Sequence, residues 1–232
     1  MILALEFSSP RRSVAVLSSR RGDGPGGSRP AESCSFDGVI CEAIETGGQS
    51  APAFGMIEKV LAEAGIEREE IDVLAVGLGP GSYTGIRVAL SLAQGWQLAR
   101  GVKLLGSSST ECLAAQAHAE QISGRVNVVI DAQRNEFYLA AYEISTDGWK
   151  ESEPLRIWTR TEVESRAAAK EILIGPEVTR WFPDGRLIFP SAARLGQLAW
   201  TRNDFAAGNL LEPVYLRETN YVKAPPRGSL AL

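Results

Sequence analysis

Val73-Leu74-Ala75-Val76-Gly77-Leu78-Gly79-Pro80-Gly81-Ser82-Tyr83-Thr84-Gly85-Ile86-Arg87 is the stretch that decides the architecture. Val73 to Leu78 is short, apolar and partly β-branched, the signature of a buried strand. Gly79 and Gly81 reach positive φ without a Cβ penalty, and Pro80 fixes its own φ, so a tight turn follows. Ser82 and Thr84 are N-cap acceptors for a helix over about Thr84 to Arg100, four to five turns long. Strand, turn and long helix in succession point to an α/β fold.

The long helix has a wide apolar arc. At ~100° per residue, Ile86, Ala89, Leu90, Ala93 and Trp96 form one stripe, and Val88, Leu92, Gly95 and Ala99 extend it sideways. Together they cover roughly 220°, where a helix resting on one sheet needs little more than ~100°. Only the sector of Arg87, Ser91 and Gln94 is clearly polar. Either the helix is enclosed within its own protein, or one flank packs on the sheet and the other on a second protein. The second reading makes Val88, Leu92, Gly95, Trp96 and Ala99 interface candidates. Phe54, Ile57, Val60 and Leu61 of the preceding helix join them, because the two helices flank one strand and can share a face of the sheet.

Upstream, Ile2 to Phe7 and Ser13 to Leu17 read as a β-hairpin around Ser8-Ser9-Pro10. Arg20 to Pro30 is rich in Gly, Arg, Ser and Pro, with almost no apolar content, and is expected to be a solvated loop. A third strand is expected within Glu32 to Phe36. Phe54, Ile57, Val60, Leu61 and Ala64 recur at helical spacing before Gly65. Downstream, Leu104-Leu105-Gly106 opens a new unit, and Ser107 to Thr110 supply caps for a helix holding Cys112 to Glu120. Strands are expected at Val126 to Ile130, Phe137 to Ile144, Leu155 to Thr159, Glu171 to Gly175 and Arg186 to Phe189. Thr161 and Glu164 have capping-box spacing, and Ser191 caps a helix to about Trp200. The halves echo each other as strand, turn, strand and helices. The reading is a duplicated unit, 1–103 and 104–232, with the last helix crossing back. The apolar tail Glu212 to Arg217 is expected to dock, and the Pro/Gly/Ser-rich residues after Val222 to be disordered.

Composition excludes several functions. The 232 residues carry 24 Lys and Arg against 28 Asp and Glu, a net charge of −4. Strong autonomous nucleic-acid binding needs clustered basic residues, so it is not expected. Cys34, Cys41 and Cys112 are odd in number and match no zinc spacing, as expected of thiols in a reducing compartment. The start, Met1-Ile2-Leu3-Ala4-Leu5-Glu6, lacks the basic residues and long apolar run of a signal peptide, and no stretch approaches ~20 apolar residues. A cytoplasmic protein is expected. His118 is the single histidine and falls in a helix, so no site built on two imidazoles can form, nor a zinc-type peptidase or a Ser/His/Asp set.

Candidate chemistry lies at turns. The Gly79 to Gly85 turn presents a helix N-terminus suited to an anion. It lacks the Lys of a Walker A loop, since Ile86-Arg87 follows, and places Thr84 where a dinucleotide fingerprint needs its last glycine. Glu6, with Ser8 and Ser9, and Asp131 end the first strands of the two halves. In duplicated actin-like ATPases, acids at such positions hold Mg²⁺ and water beside the phosphates, so these residues are the candidate nucleotide site, the alternative being plain solvated strand-end acids. The site is degenerate: Pro10 stands where a glycine should let a phosphate approach, and Gly175-Pro176 is a poor adenosine loop. No other cofactor is expected.

Ile2 to Ser9, Gly77 to Arg87, Gln94-Gly95, Ser108-Ser109-Thr110 and Pro213-Val214-Tyr215-Leu216-Arg217 together resemble the TsaB (YeaZ) family over nearly the whole chain. The resemblance implies an actin-like (ASKHA, ribonuclease H-like) fold. It also implies a role in placing threonylcarbamoyl on the adenosine beside the tRNA anticodon. The chain would be a non-catalytic partner of the paralogue TsaD, with the ATPase TsaE as third member, tRNA met through the complex, and a competing homodimer. Three features depart from the family pattern: Glu6 replaces the usual Asp, Gln49-Ser50 replaces His-Ser, and the Arg20 to Pro30 loop looks inserted. The alternative is an ATP-binding kinase or ATPase of the same fold.

Overall fold

The computed structural model describes residues 1–18, 38–47 and 53–217. The Arg20 to Pro30 loop, the strand expected within Glu32 to Phe36, Gln49-Ser50 and the residues after Val222 lie outside them.

Among the described residues, ten strands form two mixed five-stranded sheets. The first contains β1 (Ile2–Glu6), β2 (Arg11–Leu17), β3 (Val39–Thr46), β4 (Val73–Gly77) and β5 (Lys103–Ser107), in the order β3-β2-β1-β4-β5. β1, β2 and β3 pair antiparallel, whereas β1, β4 and β5 pair parallel. The second contains β6 (Gly124–Asp131), β7 (Glu136–Ser145), β8 (Gly148–Thr159), β9 (Ile172–Gly175) and β10 (Arg186–Leu187), in the order β10-β9-β6-β7-β8. Here too the first three strands pair antiparallel and the last two add in parallel. Reading β6 for β1 and so on in chain order, the two sheets have one topology. The fold is therefore the duplicated actin-like α/β unit.

Strand alternation decides what each helix covers. Leu3, Leu5 and Phe7 point to one face of the first sheet. There they meet α1 (Ala53–Ala64) through Met56, Ile57, Val60 and Leu61, and α2 (Tyr83–Arg100) through Ile86, Ala89, Leu90 and Ala93. Ile2 and Ala4 point to the opposite face, toward α3 (Ser109–Ala119) and α5 (Ala192–Trp200). α3 is enclosed on two sides. Cys112 and Ala115 pack on the first sheet, and Leu113, Ala114 and Ala117 pack on the second. Its alanines suit a helix that must fit between two layers. α4 (Arg160–Ala168) covers the far face of the second sheet with Val163.

The structure corrects several local readings. Val39–Thr46 is a strand that the sequence analysis missed, because Glu42, Glu45 and Thr46 interrupt its apolar pattern at the sheet edge. Lys103–Ser107 completes the first sheet beside β4, so that sheet runs past the expected division at residue 103. The capping box is formed by Thr159 and Glu162, not Thr161 and Glu164: Thr159 accepts from the Glu162 amide while Glu162 accepts from the Thr159 amide. β8 begins at Gly148, well before Leu155.

Candidate functional site

The two halves meet over a cleft of about 600 Å³. Its walls are the β1–β2 turn (Ser8, Ser9, Pro10), the start of α2 (Ser82, Tyr83, Thr84), the end of β6 (Ile130, Asp131) and the tail residues Val214 and Tyr215. Of the candidate nucleotide-site residues, Ser8, Ser9 and Asp131 line this cleft and Glu6 does not.

Glu6 is wholly buried. Alternation along β1 turns it toward α3, away from the cleft. Its Oε1 accepts a hydrogen bond from the Ser8 amide at 2.8 Å, and its Oε2 has no hydrogen-bond partner among the described residues. A β-carbon on Gly77 would stand 2.1 Å from that oxygen, so the strand beside it must carry glycine. Burial pushes the Glu6 carboxyl above its ordinary value, and hydrogen bonding from Ser8 offsets part of the rise. A carboxylate held here is a poor cation ligand because solvent and cation reach it only through the packed turn.

The hydroxyls are also engaged. Ser109 donates to Ser8 Oγ at 2.8 Å. Ser9 Oγ closes its own turn, donating to the Arg11 carbonyl and accepting from the Arg11 amide. Asp131 accepts from the Gln133 amide at 2.7 Å, shaping the β6–β7 turn, where Gln133, Arg134 and Asn135 all take positive φ.

The Gly-Pro-Gly turn is packed rather than open. The Ser82 amide donates to the Ser8 carbonyl at 2.6 Å, and the Gly85 amide to Ser82 Oγ at 3.2 Å. A β-carbon on Gly81 would lie 2.1 Å from Ser8 O, and one on Gly85 would lie 2.0 Å from Phe7 O. The glycines let α2 start directly against the β1–β2 turn. Two amides that a phosphate would use already donate within the protein.

A second candidate surface is the outer flank of α2. Val88, Leu92 and Trp96 are half-buried against the core, while Gly95, Leu98 and Ala99 face outward. Leu98 is 90% exposed and Phe54 on α1 is 64% exposed. No atom from elsewhere in the chain lies within 4 Å of a β-carbon built on Gly95. Ile57, Val60 and Leu61 do not belong to this surface: they are buried on the sheet side of α1, as their helical spacing requires. The sequence analysis passed over Leu98, although it is the most exposed apolar side chain on the helix.

Remaining chemistry is sparse. His118 is half-buried and packs against Trp149 in a tilted contact, with ring centroids 5.4 Å apart. Cys41 and Cys112 are free thiols, and burial pushes both above the usual range, Cys41 to about 11. Among the described residues no cluster of His, Cys, Asp and Glu is placed to hold a metal, and no helix is long and apolar enough to cross a membrane.

Comparison with known proteins gives a consistent outcome. Residues 50–153, from the start of α1 into β8, match the family model for TsaD, tRNA N6-adenosine threonylcarbamoyltransferase. The tRNA threonylcarbamoyladenosine biosynthesis protein TsaB of Escherichia coli is 29% identical over 181 residues, covering 70% of this chain and 78% of that relative. The Bacillus subtilis protein of the same name is 28% identical over 109 residues, 46% of this chain and 47% of that relative. Among solved structures, a Pseudomonas aeruginosa protein described as similar to the peptidase YeaZ superposes with a TM-score of 0.72 at 26% identity. That match covers 93% of this chain and 99% of the other. YeaZ from Pseudomonas aeruginosa gives 0.69 at 24% identity, with the same coverage.

Proposed function

We propose that this chain, which belongs to the TsaB (YeaZ) family, serves tRNA threonylcarbamoyladenosine biosynthesis as a non-catalytic partner subunit. On this reading it binds a TsaD-type protein through the outer flank of α2 and the exposed start of α1. TsaE and tRNA are then met through that complex. The observation that carries the reading is the α2 flank: Leu98, Ala99 and Gly95 outermost, with Val88, Leu92 and Trp96 half-buried behind them; Phe54 is likewise exposed at the start of α1. A bare Gly95 lets another helix approach closely. The match of residues 50–153 to the TsaD family supports a partner with helices of the same kind, so that two helices meet two. The same face is self-complementary in principle, and a homodimer would compete for it.

The alternative, an ATP-using kinase or ATPase, has less support. Glu6 is buried behind the cleft, and the amides at the Gly-Pro-Gly turn are occupied. The experiment is co-purification with the TsaD-type paralogue from the same cell, comparing wild type with Leu98→Glu and Gly95→Arg. Both variants should remain folded by circular dichroism, because neither position is packed in this chain. Both should lose the paralogue and the tRNA modification, since an unpaired charge in a buried contact costs about 3 kcal/mol or more, two decades in affinity. Folded variants that still bind the paralogue would place the interface elsewhere and end this reading.

A further inference from the structure

We propose that residues 206–217 are a latch that holds the two halves of the molecule at a fixed angle and closes the open side of the cleft. This goes beyond the partner-subunit reading and does not depend on it.

After α5 the chain returns to the first half and follows the flank of α2. The Ala206 amide donates to the Leu104 carbonyl at 2.9 Å. Gly208 is then gripped on both polar atoms: Gln94 Nε2 donates to its carbonyl at 2.9 Å, and its amide donates to Gln97 Oε1 at 2.6 Å. Leu211 fills the space above Gly106, where a β-carbon would meet Leu78 at 2.5 Å and Leu211 at 3.0 Å. The Val214 amide donates to the Leu78 carbonyl at 2.9 Å. Arg87, at the first turn of α2, lies 3.9 Å over the Tyr83 ring and donates from Nε to the Tyr215 hydroxyl at 3.1 Å. Val214 and Tyr215 thereby become part of the cleft wall.

Two residues later the strap reaches the other half. Arg217 donates to the Ala132 carbonyl at 2.9 Å and pairs with Glu136 at 2.6 Å, on the two sides of the β6–β7 turn. On the opposite side of the cleft the halves are joined by α3, which packs on both sheets, and by the Thr110 to Tyr142 hydroxyl contact at 3.1 Å. The α5 start joins the halves as well, through the Ala192 amide on Ser13 Oγ and Arg11 over the Phe189 ring, so the molecule is hinged at α3 and α5 and fastened at Arg217. The strap's hold on the first half is distributed over packing and several backbone bonds. Its described polar hold on the second half is one arginine, with Arg217 and Glu136 each about a third exposed. A partly exposed ion pair is weak enough to open and close, and the fastening should release at that end.

The test uses spin labels at two exposed positions, Ser91 on α2 and Thr161 on α4, in a full-length chain with Cys34 and Cys41 changed to Ser. Wild type should give one narrow distance distribution. Arg217→Glu should broaden and lengthen it, and amide exchange at residues 132–136 and 214–216 should rise by roughly fivefold. The charge swap Arg217→Glu with Glu136→Arg should restore both readouts. Arg217→Gln repeats the test without charge reversal, in case Glu lowers stability. An unchanged distance distribution in Arg217→Glu and Arg217→Gln would overturn the latch, even if the strap itself exchanges faster. A charge swap that leaves the distribution broad would remove Arg217 and Glu136 as the fastening.

Discussion

Gly85 lies so close beneath Phe7 that a β-carbon on it would stand 2.0 Å from the Phe7 carbonyl oxygen. That contact lets α2 begin directly against the end of β1, and it sets a sharp difference between two glycines of one helix. Gly85→Ala should destabilise the protein by about 2–3 kcal/mol, because backbone, not a movable side chain, is in the way. Gly95→Ala meets nothing and should stabilise by about 1 kcal/mol through helix propensity. Urea unfolding of the two variants checks this. Equal effects at the two positions would contradict the packing of the turn.

Glu6 gives a pH signature. Its folded-state carboxyl titrates above the ordinary value near 4.5 because burial disfavours the charge. The folded chain therefore holds this proton more tightly than the unfolded chain. The stabilising contribution is complete below about pH 4.5 and is lost as pH rises through the folded value. Glu6→Gln removes the titration. The stability difference between variant and wild type should therefore move in the variant's favour above pH 4.5, by up to about 1.4 kcal/mol per pH unit inside the window. Thermal midpoints of both proteins between pH 4 and 8 decide it, and two parallel profiles would show that Glu6 titrates normally.

Arg166 should matter far more than its place on a short helix suggests. It donates to Asn127 Oδ1 at 2.7 Å and to Glu153 at 2.7 Å, lies 3.5 Å from Glu171 and stacks 4.5 Å from the Trp158 ring centre. Asn127 is fully buried and Arg166 is 13% exposed. Arg166→Leu strands an amide oxygen and weakens two carboxylates at once, for a loss of about 3 kcal/mol. Arg68→Ala breaks an exposed pair with Glu58 and should change stability by no more than about 0.5 kcal/mol. Denaturation midpoints that rank the two the other way would show that the Arg166 network contributes little.

The fold was legible where local chemistry and tertiary packing agree. Val73 to Arg87 reads as strand, turn and helix, because its glycines and its Ser82 cap belong to one compact feature. Val39–Thr46 was not legible, since Glu42 and Glu45 break the apolar run of this edge strand and fall on opposite faces, leaving no clean alternation. Buried α1 residues were misread as surface for a related reason. Ile57, Val60 and Leu61 show one helical stripe, and a stripe alone does not say whether sheet or partner covers it. The cleft residues Ser8, Ser9 and Asp131 follow from the duplication. The inward turn of Glu6 depends on the parity of β1, which alternation in an all-apolar strand does not reveal. Arg217 lies in a stretch that the sequence marked as docking, but its contact with Glu136 spans 81 positions and has no local signal.

Purified alone, the chain is expected to bind Mg-ATP no more tightly than about 1 mM, some 4 kcal/mol of binding free energy, and to hydrolyse none. Tight nucleotide sites of this architecture need free amides at a glycine turn and strand-end carboxylates open to the cation. Here the Ser82 and Gly85 amides donate inward, Glu6 is sealed behind Ser8, and Asp131 is engaged with the Gln133 amide. Of the four residues that a nucleotide site would use, only Asp131 reaches the cleft with a carboxylate, and the strap residues Val214 and Tyr215 line the space beside it. Calorimetric titration of the purified chain with Mg-ATP reads the affinity directly. Binding below about 10 μM that disappears in Asp131→Ala would restore the kinase or ATPase reading, because 10 μM represents close to 3 kcal/mol more than this cleft is expected to supply.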